Sequence, residues 1–296
     1  QPRDAAILRH AGAPPNCLHI LPNPVPLPPP LPPPAHPPRL ILYPGRCIRR
    51  KNLGEFLLWA LHHRRDFHFA TSLTPENPAE RPAFAQWTAF ARTANLPVTF
   101  GIGEQPGTSF REVMSQADLC ITTSVGEGFG MCYLEPFAHG RPLCGRNLPD
   151  ITAALSADGI DLSPLYSRMP VPLPLLSADF WTRAAARLAT TVPDITPDQL
   201  EAAWVQADTL DFGRLDETEQ LLLLKQGFSP PFPLTDTCAP AAPSRKALGS
   251  QAQEAAAALR KAHAAVLAHP GPLHFADPRL VARQFAQPEF LWLLRT

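Results

Sequence analysis

Between residues 39 and 145, short apolar runs alternate with stretches of helical apolar spacing, and that alternation leaves the chain few architectures. The runs at 39–45 (RLILYPG), 67–72, 97–101 (PVTFG), 118–123 (DLCITT) and 141–145 (RPLCG) read as buried strands. Between them, 53–63 places Leu53, Phe56, Leu57, Ala60 and Leu61 at helical spacing, and 81–95, 109–117 and 130–140 read as further helices. Strands alternating with helices of about 10–15 residues make βα units, which build a parallel sheet covered on both faces. The expected fold class is therefore α/β, a doubly wound parallel sheet. Ligands of such sheets lie at the carboxyl ends of the strands, so the loops that follow the strands are where chemistry is expected.

Beyond Asp150 the pattern thins. Helices are expected at 180–191 and 197–207, a Pro-rich loop at 227–244, an Ala-rich helix at 251–268, and further helices at 278–286 and 289–295. No internal repeat is visible. At the other end the composition shifts: of 38 prolines, many crowd into 22–38, a stretch that cannot hold a helix or a central strand and favours extended polyproline II. A stiff linker is the simplest reading of it, a ligand for a proline-binding module the other. The organisation expected is a tail at 1–25, a linker at 26–38, a ligand-binding domain at 39–230, and a Pro-rich loop with C-terminal helices at 231–296.

The 26 basic and 26 acidic residues cancel, which argues against a nucleic-acid partner; any anion site has to be local. The six cysteines form no CxxC pair, and Cys120, Cys132 and Cys144 sit in apolar runs, so they are expected to be free thiols in a reducing compartment, hence a cytoplasmic location. Paired spacing for structural zinc is absent, and no metal site is expected. No apolar run approaches the roughly 20 residues that span a bilayer, and the opening segment has no signal-peptide pattern.

Three features of the post-strand loops carry chemistry. The first loop, 45–52, holds Gly45, Arg46, Arg49, Arg50, Lys51 and Asn52, with Arg46 and Lys51 at its two ends. Both can reach one anion near a helix N-terminus, where free N–H groups already favour negative charge; a solvated basic face has the same composition. The second loop, 124–130, reads Ser-Val-Gly-Glu-Gly-Phe-Gly, and its glycines let the backbone approach a ligand closely. Its spacing is neither a dinucleotide fingerprint nor a P-loop. The third feature is a carboxylate pair, Glu127 in that loop and Glu135 in the helix expected to start near Gly130. Carboxylates there can accept hydrogen bonds from sugar hydroxyls, while a turn residue and an exposed helix residue are the plainer alternatives.

Taken together, residues 124–142 (SVGEGFGMCYLEPFAHGRP) resemble the donor-site signature of glycosyltransferase family 4, S-x-x-E-G-F-G-x-x-x-x-E-x-x-A-x-G-x-P. Gly45-Arg46 with Lys51-Asn52 resembles that family's phosphate-binding pair, and Phe100-Gly101 its strand-end glycine before the base pocket. The resemblance covers roughly 39–162 well and the rest loosely. It implies the C-terminal, Rossmann-like donor-binding domain of a GT-B fold, with extra C-terminal helices.

The activity it implies is retaining transfer of a hexose from a nucleotide-diphosphate sugar (UDP-, GDP- or ADP-linked) to an acceptor hydroxyl. By position, Arg46 and Lys51 would hold the diphosphate, Glu127 the hydroxyls of the transferred sugar, and Glu135 the ribose. Gly45, Gly101, Ser124, Gly128, Phe129, Gly130 and Leu134 would complete the donor site. The family works without a bound metal and needs no cofactor besides the nucleotide sugar; no Asp-x-Asp motif is present. Front-face attack, with the leaving phosphate taking the acceptor's proton, would retain configuration, so Glu127 is not expected to be a covalent nucleophile.

Two departures stand out. The family's Gly-Gly loop reads Gly145-Arg146-Asn147-Leu148-Pro149-Asp150 here, with Asp150 as the stand-in for its acid. The segment 21–25 looks like the close of an N-terminal acceptor domain, which is expected to precede this chain, to carry the acceptor-side loop and any peripheral membrane contact, and to cover the final helices. Two other readings compete: a non-catalytic nucleotide-sugar-binding remnant, or another GT-B enzyme such as a nucleotide-sugar epimerase. A glycogen-type phosphorylase would need a pyridoxal-phosphate lysine motif, which the chain lacks.

Overall fold

The computed structural model describes residues 2–14, 18, 25–32, 34, 39–242, 244 and 246–248. The helices expected at 251–268, 278–286 and 289–295 lie outside the described residues, as do Cys17 and residues 21–24. After a first helix, α1 (Pro2–His10), the main sheet is built from β1 (Arg39–Arg46), β2 (Phe67–Leu73), β3 (Val98–Thr99), β4 (Leu119–Thr122), β5 (Leu143–Gly145) and β8 (Cys238–Ala239). Their order is β3-β2-β1-β4-β5-β8, with every pair from β3 to β5 parallel and β8 antiparallel beside β5. The chain lays strands outward from β1 in one direction, then returns to β1 and continues in the other. The reversal falls between β1 and β4, the switch point at which sheets of this kind bind ligands. The α/β, largely parallel, doubly wound architecture expected from the alternation is thus present.

Successive strand residues face opposite sides, as the pleat requires. Ile41, Tyr43, Ile121 and Cys144 enter one core; Leu42, Cys120 and Leu143 enter the other. Because both faces are covered, the strands are apolar throughout instead of alternating. On the first face lie α2 (Leu53–His62), α3 (Arg81–Thr93), α7 (Phe180–Leu188), α8 (Pro197–Trp204) and α9 (Glu217–Lys225). The second carries α4 (Phe110–Gln116), α5 (Glu135–Ala138) and α6 (Pro149–Ala157). Helix starts follow the sequence: Ser109 with Glu112 and Thr196 with Gln199 form capping boxes, and Asp216 caps α9. A small antiparallel sheet of β6 (Pro170–Pro172) and β7 (Thr209–Asp211) sits beyond α6.

Several expectations are corrected. The helix expected at 130–140 is a 3-10 turn (Met131–Tyr133) followed by the single turn α5. Pro136 has no N–H to bond four residues back and Gly130 takes a left-handed φ, so no helix runs through from 130, while left-handed Gly140 closes the short α5. The loop expected after Gly145 becomes α6, with Pro149 in its first turn. The Pro-rich loop at 227–244 contains a 3-10 turn (Leu234–Thr237) and β8. Residues 25–32 of the Pro-rich segment lie against the second face. Arg111 Nη1 donates to Pro29 O (3.0 Å), Arg141 Nη2 to Pro32 O (2.8 Å), and Leu31 N to His139 O (3.1 Å). Extended polyproline leaves its own carbonyls unbonded, and the arginines supply the missing donors.

Candidate functional site

The loops leaving β1 and β4 are joined by their backbones before any side chain is considered. Val125 N donates to Arg50 O (2.9 Å), and Thr123 Oγ1 donates to the carbonyls of Lys51 (2.9 Å) and Asn52 (3.2 Å). Tyr43 Oη donates to Lys51 O (3.1 Å) and shares a 2.7 Å hydrogen bond with Ser124 Oγ. Asn52 takes a left-handed conformation (φ 54°) that turns the chain from the 3-10 segment Arg49–Lys51 into α2. Lys51 is thereby held at the switch point with its ammonium toward the second loop.

There it meets Glu127, whose carboxylate is almost fully buried, with 6% of the side chain exposed. Lys51 Nζ donates to Glu127 Oε1, Arg50 Nη1 to Oε2 (3.1 Å), Ser124 Oγ to Oε1 (2.6 Å) and Cys132 Sγ to Oε1 (3.4 Å). Burial alone would raise the Glu127 pKa, but Lys51, Ser124 and Arg50 outweigh it, and the carboxyl is held below its ordinary value. Burial likewise works against the Lys51 charge, yet Tyr43, Cys132 and Glu127 hold its ammonium above the ordinary lysine value. Glu135 behaves differently. Burial pushes it up to about 7, with Lys51 opposing and Glu127 reinforcing the rise. Lys51 thus pairs with one carboxyl held below its ordinary value and lies in the field of a second that is raised.

A second grouping lies at the ends of β2 and β3. Arg46 Nη1 donates to Thr74 O (3.0 Å), and its Nη2 pairs with Glu76 (3.0 Å), whose side chain is 81% exposed. Thr74 N and Oγ1 both donate to Glu104 Oε1 (2.6 and 2.5 Å), and Gly101 N donates to Thr71 Oγ1 (3.2 Å). Of the residues singled out in the sequence, Lys51, Ser124 and Glu127 are in direct contact and Glu135 lies within their field. Arg46 and Gly101 belong to the β2–β3 grouping, with Gly45 O accepting from Ser72 Oγ (3.1 Å) on the way to it. Gly128 and Phe129 are exposed at the tip of the second loop. Gly130 is closed in, since a Cβ there would stand 2.7 Å from Ile151. The Leu134 side chain is buried in the second core.

Sequence reasoning missed Arg50, which reaches the site where Arg46 does not, and also Tyr43 and Cys132. The alternation of the strand at 39–45 points Tyr43 to the same face as Ile41, but nothing in the spacing shows that its hydroxyl meets Ser124. It missed, too, a buried ion cluster behind the site. Arg146 Nε and Nη2 donate to the two carboxylate oxygens of Glu55 (3.0 and 2.6 Å), and Nη1 and Nη2 to those of Asp211 (2.8 and 2.9 Å). Tyr166 Oη donates to Glu55 Oε1 (2.6 Å), and Asn52 Nδ2 to Oε2 (2.7 Å). Among the described residues no group of three or more His, Cys, Asp or Glu side chains is placed to hold a metal ion, and no helix is long and apolar enough to cross a membrane.

No family model matches the chain. Mannosylglucosyl-3-phosphoglycerate synthase of Petrotoga mobilis is 30% identical over 108 residues, 36% of this chain and 21% of that protein. The chain is similar to GT-B glycosyltransferases. The C-terminal domain of a group 1 glycosyl transferase from Francisella tularensis is 16% identical, with a TM-score of 0.31 over 35% of this chain and 55% of that one. Trehalose-6-phosphate synthase OtsA is 12% identical, with a TM-score of 0.42 over 89% of this chain and 49% of that one. The pneumococcal O-GlcNAc transferase GtfA, in complex with UDP and GlcNAc, is 15% identical, with a TM-score of 0.37 over 77% of this chain and 36% of its own. The chain spans about a fifth of the curated relative and about half or less of two of these three structures.

Proposed function

We propose that this chain is the donor-binding half of a retaining glycosyltransferase that moves a hexose from a nucleotide-diphosphate sugar to an acceptor hydroxyl. The observation that carries the reading is the meeting of Lys51 with Glu127 inside the Ser124–Val125–Gly126–Glu127–Gly128–Phe129–Gly130 loop, at the switch point of the sheet, with Glu135 within their electrostatic reach. The partial identity to a synthase whose product name contains two hexoses supports a hexose as the transferred group.

In this reading Lys51 and Arg50 face the diphosphate, and Arg46 joins them. Its pair with exposed Glu76 is a surface ion pair of little worth, which a diphosphate can replace. As the bond between the anomeric carbon and the phosphate oxygen breaks, charge gathers on the leaving diphosphate, and fixed cations stabilise that state more than the ground state. The acceptor oxygen bonds to the anomeric carbon on the same face, and its proton passes to the departing phosphate oxygen. Glu127, kept ionised, accepts hydrogen bonds from hydroxyls of the moving sugar; Glu135 accepts from the ribose.

Calorimetric titration of UDP, GDP and ADP tests this. One diphosphate should bind at micromolar levels, with the affinity lost in Lys51→Met and weakened in Glu135→Gln. Absence of binding by all three sinks the reading. Binding without sugar transfer, after an N-terminal acceptor domain is supplied, would mark a non-catalytic nucleotide-sugar module.

A further inference from the structure

Away from the candidate site, two cysteines stand directly opposite one another. Cys144 of β5 and Cys238 of β8 are register partners in the antiparallel pair that joins β8 to the sheet. Side chains so placed have Cβ atoms about 4.5–5.5 Å apart, close to the roughly 3.5–4.5 Å that a disulfide needs. The two thiols lie close enough to perturb each other's ionisation, each sulfur facing the other across the strand pair. Both also touch a carbonyl, Cys144 Sγ that of Cys120 (3.4 Å) and Cys238 Sγ that of Leu234 (3.4 Å). Their surroundings differ: Cys144 is wholly buried, whereas Cys238 is partly exposed.

We propose that Cys144 and Cys238 are a thiol modification site, in which Cys238 reacts with a small disulfide oxidant of the glutathione class and Cys144 then closes an intrachain disulfide. The partition of roles follows from access and from charge. Only Cys238 can meet a soluble oxidant, and the neighbouring Cys144 draws its pKa down despite burial and the nearby Asp236. Cys144 needs no solvent path, because its target is the sulfur it already faces.

In the first step the Cys238 thiolate attacks one sulfur of glutathione disulfide; a Cys238–glutathione bond forms and one glutathione thiolate leaves. In the second, Cys144 sulfur attacks the Cys238 sulfur, the second glutathione leaves, and the proton of Cys144 goes to that thiolate. The chain loses two protons and two electrons, and one glutathione disulfide becomes two glutathione molecules. The cross-link fastens residues 234–239 to the strand that ends at Gly145, just before Arg146. In a reducing environment the pair stays a dithiol, so closure is a response to oxidation.

The test treats the folded chain with glutathione disulfide, blocks remaining thiols with N-ethylmaleimide, and maps the digest by mass spectrometry. The expected product is one peptide pair joined through Cys144 and Cys238. Cys144→Ala should stop at a stable glutathione adduct on Cys238, and Cys238→Ser should give neither adduct nor link. A wild-type chain that accumulates the Cys238 adduct without the link, leaves Cys238 unmodified, or pairs Cys144 only after urea is added overturns the proposal.

Discussion

Lys51 illustrates how much depends on a single ammonium. It and Glu127 have only 10% and 6% of their side chains exposed, so removing one partner leaves a buried charge that water cannot reach. Lys51→Met should destabilise the chain by about 2–4 kcal/mol, less than for a fully isolated pair because Arg50 stays on Glu127 Oε2. Adding Glu127→Gln should recover part of that loss; urea unfolding of the singles and the double measures the coupling, and simple additivity would contradict the pairing. Glu135 supplies a pH signature. A carboxyl that holds its proton more tightly folded than unfolded contributes stability at low pH. That contribution is withdrawn as pH climbs from the unfolded value near 4.5 to about 7. The melting temperature of wild type should therefore fall relative to Glu135→Gln across that interval and level off above it, and a constant difference from pH 4 to 8 would refute the raised value. At this scale the sequence was half legible. Residue types and spacing marked Lys51, Ser124 and Glu127. They could not tell which of four neighbouring cations turns inward, because that depends on the left-handed turn at Asn52 and on Thr123 and Tyr43 gripping the Lys51 carbonyl.

Among the elements, the short strand β5 makes the strictest demand. Gly145 has φ 108°, and a Cβ there would overlap the Thr122 carbonyl oxygen of β4. Gly145→Ala should cost roughly 3 kcal/mol or more in a denaturant titration, and a neutral result would mean that β4 and β5 are not this close. The elements from β1 to β5 were legible because both sheet faces are buried, which makes each strand a continuous apolar run bounded by polar loops. Elements that are very short or lack apolar periodicity escaped notice. β6 and β7 have three residues each, and the four leucines of α9 look like a fragment until Asp216 is recognised as its cap. The segment after Gly130 misled in the other direction: its residues favour helix, but Pro136 and the left-handed Gly130 cut it to turns.

For the molecule as a whole, the Glu55–Arg146–Asp211 cluster is the chief tie between parts distant in sequence. It joins α2, the end of β5 and the small β6–β7 sheet with hydrogen bonds to every carboxylate oxygen. Arg146→Met should cost about 3–5 kcal/mol, because Glu55 has no exposed surface, burial already pushes its pKa up, and without its cation it must carry an unpaired buried charge or take up a proton. Limited proteolysis should then cut first between β6 and β7; a variant as resistant as wild type would show that the cluster binds nothing together. The ion cluster had no sequence signal, since its members are scattered over more than half the chain. The position of β8 has one more consequence. A parallel sheet that stopped at β5 would offer the backbone of Leu143–Gly145 to any extended chain nearby, the usual start of strand-by-strand aggregation. Two residues laid antiparallel occupy that rim, and Cys238–Ala239 are too short to template another strand themselves. A chain shortened before Leu234 should therefore self-associate, visible as rising light scatter on concentration, while the sheet inside it stays folded.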